Sequence, residues 1–228
     1  MNINVIGDII KKCFFLLLSV FFIISFNIVK ANSIKSRLVL IGKVIYIDPG
    51  HGGKDPGTIY KKIYEKNINL EICKKLKKIL EEEGAIVYLT RYGDYDLATN
   101  NAIERKKSDL NNRAKIINKS KADMYISIHL NSIKSSTWRG AQVFYDDVNI
   151  NNKKIANIMQ TTLKKELNTN RKVKEIKNML FNRKTLVPGV LIEVGFLSNP
   201  NERYLLQESK YQYKICEAIK KGIIKYLK

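Results

Sequence analysis

From residue 44 onward the chain alternates between two hydrophobic rhythms. Val44 to Asp48 (VIYID) is a short run of β-branched and aromatic residues stopped by Pro49-Gly50, and it reads as a buried strand. Asn67 to about Glu83 has the period of a helix. Leu70, Cys73, Leu76 and Leu80 make one apolar stripe, lysines and glutamates cover the rest, and Gly84 ends it. AIVYLTR (Ala85 to Arg91) is the next strand, so the first three elements form a βαβ unit. A polar stretch, GDYDLATNNAIERKKSDLNNR, leads into a helix carrying Ala114, Ile116 and Ile117. ADMYISIHLNS is a third strand ending at His129, and GAQVFY is a fourth, suited to an antiparallel place at the sheet edge. A helix from Ile155 to Leu167, a buried strand VLIEVGF, a short helix opened by Asn199-Pro200 and a last helix from Tyr211 to Leu227 complete the pattern. Alternating strands and helices predict a three-layer αβα single domain of the α/β class with a mostly parallel sheet. In such sheets, sites form beyond the carboxyl ends of the strands.

The N-terminus follows a different rule. Two lysines precede an apolar run from Cys13 to Val29, broken only by Ser and Asn, and Val29-Lys30-Ala31 offers a small-residue cleavage position. This predicts an export signal over residues 1–31, either cleaved after Ala31 or kept as a membrane anchor, followed by a catalytic domain over 32–228. The protein is therefore expected outside the cytoplasm, touching membrane only through this segment. Cys13 lies too early in the run for lipidation after cleavage. Cys73 and Cys216 sit inside amphipathic helices and read as small buried residues rather than as a disulfide framework.

The formal net charge is +20. It suits a polyanionic neighbour, but the lysines are spread over outer helix faces in a chain rich in Lys, Asn, Ile and Tyr, which marks a composition bias more than a patch. No zinc-knuckle spacing, stacking motif or helix-turn-helix pattern supports nucleic-acid binding, and export argues against it.

Candidate chemistry gathers at strand ends. The chain has two histidines; His51 lies in DPGHGG after the first strand, and His129 closes the third. Two imidazoles at one sheet edge in an exported protein suggest zinc, which in hydrolases takes three protein ligands and keeps a fourth position for water. Glu65, just before the helix near Asn67, is the best third donor, because a helix N-terminus favours its charge; otherwise it is an ordinary first-turn glutamate. Glu193 stands between Ile192 and Val194 in an apolar strand. A charge there is costly, so it is either a general base with an environment-set pKa or one half of a strand-end salt bridge. Asp48 could orient His51 or form the turn; Asn131 could hold a ligand or cap a loop; Trp138 could stack on sugar or peptide. RKKSDLNNR (Arg105 to Arg113) reads as a solvated helix face.

At these residues the sequence resembles the zinc-dependent N-acetylmuramoyl-L-alanine amidases of the amidase 3 type. IDPGHGG-DPG, EK-INLEI, TR, R---IN---AD-YISIH-N, GAQVFY and P-VLIEVGFLSNP-ER-LL stand in family order across nearly the whole chain after the N-terminal run. The resemblance implies a six-stranded mixed sheet, zinc ligands at His51, Glu65 and His129, and a catalytic glutamate at Glu193. It also implies hydrolysis of the amide between N-acetylmuramic acid and L-alanine in peptidoglycan glycan strands carrying stem peptides. DYDLA, RKKSDLNNR and the direct junction of export signal and catalytic domain are similar to the germination-specific members of spore formers. In those, the reaction belongs to cortex synthesis in the forespore intermembrane space, a deacetylase then allows muramic-δ-lactam to form, and some need an activating lipoprotein. A general vegetative autolysin and a partner-dependent wall-binding relative are the alternatives.

Overall fold

The structure, a computed structural model, describes residues 12–26 and 38–228. Two compact units are present, Met1–Val39 and Leu40–Lys228. In the first, residues 12–26 form helix α1, with Phe14, Phe15, Leu17, Phe21 and Phe22 all exposed. The proposed cleavage position at Ala31 lies outside the described residues. No helix among the described residues is long and apolar enough to cross a membrane.

The second unit carries a six-stranded sheet. Its strands are β1 (Val44–Pro49), β4 (Ile86–Leu89), β5 (Met124–Asn131), β6 (Gln142–Tyr145), β7 (Lys174–Glu175) and β8 (Gly189–Phe196), in the spatial order β4-β1-β5-β8-β6-β7. The first four in that order are parallel, β6 runs against β8, and β7 runs with β6. This is the mixed, mostly parallel α/β sheet expected. GAQVFY is antiparallel but is not the edge, since β7 lies outside it; two residues, Lys-Glu, are too few and too polar to show a strand rhythm. A separate hairpin pairs β2 (Ile59–Tyr60) with β3 (Ile63–Tyr64).

Helices α2 (Glu65–Glu82), α4 (Asn152–Leu167) and α7 (Ser209–Leu227) form one layer. They cover the side chains of alternate residues such as Ile45, Ile47, Ile126, Ile128 and Ile192, all fully buried. Cys73 and Cys216 are free and buried in this layer. On the other face, α3 (Arg105–Lys119) and α5 (Leu180–Lys184) pack Ala114, Ile117 and Phe181 against Tyr125. The short helix α6 (Pro200–Gln207) is capped by Asn199, whose side chain accepts from the N–H groups of Asn201 and Glu202.

Helix α3 carries Ala114, Ile116 and Ile117 as expected; Ala114 and Ile117, three apart, share its inner face, and Ile116 is 37% exposed. One boundary is corrected. Helix α2 begins at Glu65 rather than near Asn67, with Tyr64 as an N-cap that makes no side-chain bond. Asn67 resembles a cap but sits inside the first turn, because the β2–β3 hairpin runs directly into the helix.

Candidate metal centre

The loop after β1 is built by buried cations holding backbone carbonyls. Arg91, fully buried at the end of β4, donates to the carbonyls of Pro49, Gly50, Lys66 and Gly93 at 2.8–3.0 Å. Arg113 on α3 donates to Pro49 O at 2.8 Å and His51 O at 2.6 Å. It also pairs with Asp48 and Asp109, each at 2.9 Å. Asp48 therefore does not touch His51. It accepts from Arg113, Thr90 and Ser127, tying β1 to β4, β5 and α3. Burial pushes the Asp48 carboxyl up, yet Arg113 and the two hydroxyls hold it below the usual carboxylate range. RKKSDLNNR is accordingly not a simple solvated face: its last arginine is a core residue, and Arg105 pairs with Asp96 at 2.8 Å.

This scaffold presents His51 in a left-handed conformation, φ 64°. A non-glycine residue in that region costs of order 1–3 kcal/mol, and persists because its surroundings over-determine it. Asp94, from DYDLA, accepts from the Gly53 N–H and the Lys66 ammonium, closing the loop from outside. Gly50 passes so close to the His129 ring that a Cβ would overlap the imidazole.

His51, Glu65 and His129 come together. Glu65 Oε1 lies 3.1 Å from His51 Nε2 and 3.2 Å from His129 Nδ1, and the two rings meet edge-on with centroids 4.9 Å apart. Glu65 also accepts from the Thr58 N–H at 2.8 Å and the Leu130 N–H at 3.0 Å. Asp55, which the sequence did not single out, lies 2.9 Å from His51 Nδ1. It stands four residues on in the same loop and begins the DPG of IDPGHGG-DPG, and those were its available signals. Burial lowers the affinity of His51 for a proton, but Asp55 and Glu65 outweigh it and push its pKa up to about 9. Burial opposes ionisation of Glu65, yet His129 and His51 hold it well below the carboxylate range.

Glu193 lies directly beside His129 in the β5–β8 register. Its residue is partly accessible from the groove, but Oε2 is fully buried and has no hydrogen-bond partner among the described residues. No salt bridge reaches it there either. Burial pushes its carboxyl up to about 7, with His129 pulling the other way and Glu65 adding to the rise. These four residues line one groove of about 640 Å³, walled by α3, α5 and the end of β5. Asn131 lines the same groove. Trp138 does not: it is half-exposed nearby, with the Arg171 guanidinium 4.6 Å from its ring centroid.

The donor chemistry fits a divalent ion. One ligand atom each from His51, Glu65 and His129 lies within 4.8 Å of the others. Asp55 fixes the outer nitrogen of His51, as carboxylates do behind metal-binding imidazoles. Glu193, whose buried carboxylate oxygen has no partner among the described residues, lines the same groove. The set could hold zinc, which takes two histidines and a carboxylate in hydrolases.

The chain belongs to the N-acetylmuramoyl-L-alanine amidase family: the profile of that description matches residues 45–225. Within the family it is 48% identical to the germination-specific N-acetylmuramoyl-L-alanine amidase of Bacillus subtilis strain 168, over 83% of this chain and 81% of that one. The structure of the CwlD amidase from Clostridioides difficile in complex with the GerS lipoprotein superposes with a TM-score of 0.77 at 40% identity, covering 82% of this chain and 98% of that one. The catalytic domain of CwlV from Paenibacillus polymyxa gives 0.71 at 34%, covering 81% and 98%. The protein is thus an enzyme of the N-acetylmuramoyl-L-alanine amidase class, acting on peptidoglycan.

Proposed function

We propose that this enzyme cleaves the amide between the lactyl carboxyl of N-acetylmuramic acid and L-alanine, using Zn²⁺ held by His51, Glu65 and His129 and Glu193 as general base. The observation that carries the reading is the unpartnered carboxylate oxygen of Glu193, a residue that stands beside His129 in the sheet and shares one groove with the histidine–glutamate cluster. Bound there, zinc would supply Lewis-acid polarisation of the scissile carbonyl and acidify a water. Glu193 takes the proton of the attacking water as the new C–O bond forms. It then gives that proton to the alanine nitrogen as the C–N bond breaks, so the amine leaves neutral. Burial raises the Glu193 carboxyl and a bound cation would lower it, and these opposing effects suit a group that takes a proton and then gives it up. Asp55 keeps His51 oriented, and the buried arginines keep the loop that carries it in place.

The cellular role follows the germination-specific relative: stem-peptide removal in the spore cortex, upstream of a deacetylase and of muramic-δ-lactam formation. The partner-bearing structural neighbour supports a lipoprotein partner here as well. Residues 1–31 are proposed to export the chain or anchor it, placing it outside the cytoplasm in the wall or forespore intermembrane space. The test is digestion of peptidoglycan by zinc-loaded protein. Peptides with free L-alanine N-termini and intact glycans are expected, and His51→Ala and His129→Ala should lose most bound zinc together with that product. Cleavage within the glycan or the stem would sink the bond assignment; full zinc content in both variants would sink the ligand assignment.

A pH dependence follows. Protonated His51 donates to Asp55 and Glu65, so an incoming ion competes with that proton. Because the pKa is raised to about 9, the competition spans the range below it. Zinc affinity should rise about tenfold per pH unit from roughly pH 6.5 to 8.5. Competition against a chromophoric chelator measures it, and a flat profile would show that His51 gives up no proton on binding.

A further inference from the structure

A second groove opens beside the catalytic one, and Asn131 lines both. It measures about 570 Å³. Its floor is the same sheet face, one strand further out. Gln142 on β6 stands beside Glu193 on β8, and Phe144, two residues on, stands beside Lys174 on β7. Arg171 is fixed over this floor: Gln142 Oε1 accepts from its Nε and Nη2 at 3.2 and 2.7 Å, and the guanidinium lies 4.6 Å from the Trp138 ring centroid. Lys172 and Lys174 are exposed along the rim. No acidic residue lines the groove, and none of these three cations has an ion-pair partner among the described residues. The catalytic groove differs, with Asp48, Asp55, Glu65, Asp109 and Glu193 in its lining.

We propose that this groove binds the acidic stem peptide on the leaving-group side of the scissile amide, with Arg171, Lys172 and Lys174 reading its free carboxylates. The inference rests on the amidase reading of the neighbouring groove. The glycan strand is uncharged once its lactyl group is in amide linkage. The stem carries carboxylates, the first on the γ-linked D-glutamate after L-alanine. Strands lie about 4.8 Å apart and residues rise about 3.3 Å, so Lys174, two strands across from Glu193 and two residues along, is roughly 12 Å away. An extended residue spans at most about 3.6 Å, and the longer γ-linkage adds to that, so the second and third stem residues reach this distance. Trp138 and Gln142 hold the guanidinium flat and pre-aligned, the geometry that favours two-point contact with a carboxylate.

The test is calorimetric titration of the zinc-loaded full chain with L-alanyl-γ-D-glutamyl-diaminopimelate and with the same peptide amidated at its free carboxyls. The acidic peptide should bind, the amidated one about tenfold more weakly, and added salt should narrow the gap. Arg171→Gln should weaken the acidic peptide about three- to tenfold, and Lys172→Gln with Lys174→Gln to a similar degree, with bound zinc unchanged. The lysine pair is exposed, so it decides the matter if the arginine variant fails to fold. Equal affinity for the two peptides, or wild-type affinity in the variants, would overturn the proposal. So would variants that weaken binding of a peptide-free glycan strand instead. Peptide binding is read without turnover. Loss of this subsite therefore leaves the bond, zinc and base assignments standing, and their failure would show in products and metal content.

Discussion

Replacing Glu193 by Gln is expected to slow amide hydrolysis by about 10²- to 10⁴-fold while bound zinc stays at the wild-type amount. The substitution keeps the shape of the side chain and removes its capacity to take a proton. Glu193 stands at the edge of the histidine cluster, and neither His51 nor His129 is hydrogen-bonded to it; Glu65 is the carboxylate that both histidines approach. The metal-binding set should therefore survive the change. The amide of Gln also lacks the charge that burial penalises, so the variant should melt no lower than the parent. Release of L-alanine-terminated peptides, with metal analysis on the same preparation, gives both readouts. Wild-type turnover would remove Glu193 from the mechanism, whereas loss of zinc would make it part of the ligand set.

Arg113→Met should cost about 3–5 kcal/mol of stability, because it leaves buried carboxylates without their cation. Asp48 and Asp109 would both lose their partner, and the carbonyls of Pro49 and His51 would lose a donor. For a unit of this size the midpoint of thermal unfolding should fall by roughly 10 °C. The deficit should shrink in acid. Asp48 is held below the usual carboxylate range, so its contribution is present above about pH 4 and fades as pH falls through its folded value. Lys107→Met on the same helix, where the lysine's ion-pair partner among the described residues is the exposed Glu104, should shift the midpoint by no more than a degree or two. Equal melting of the two variants would show that the Arg113 network adds nothing to folding. Zinc affinity should fall in Arg113→Met alone, since that arginine also fixes the carbonyl of His51.

The rhythm of the sequence revealed the long elements because each buries a continuous face: the α2 stripe and the β1, β5 and β8 runs are where the core lies. It also put His51, His129 and Glu193 at strand ends; His51 does follow β1, but β5 and β8 run on past His129 and Glu193 to Asn131 and Phe196, and their shared register brings the three together. The two-residue strands β2, β3 and β7 left no trace, since a period needs several residues to show. Arg91 and Arg113 were hidden for another reason. In a chain this basic an arginine looks like surface, and only the convergence of carbonyls from a distant loop shows that it is core. Asp55 and Arg171 are similar cases, each defined by a partner that the folded chain supplies.

The reversal of β6 has a consequence for how such an enzyme can diversify. Because β6 runs against β8, it starts at the rim where β5 ends, and the connection between Asn131 and Gln142 crosses above β8 without descending to the far end of the sheet. That span carries no ladder bonds of its own, so its length can drift while every strand keeps its neighbours. Tailoring of the cleft is thereby uncoupled from the integrity of the scaffold, and one surface bridge becomes the place where relatives can differ in what they admit.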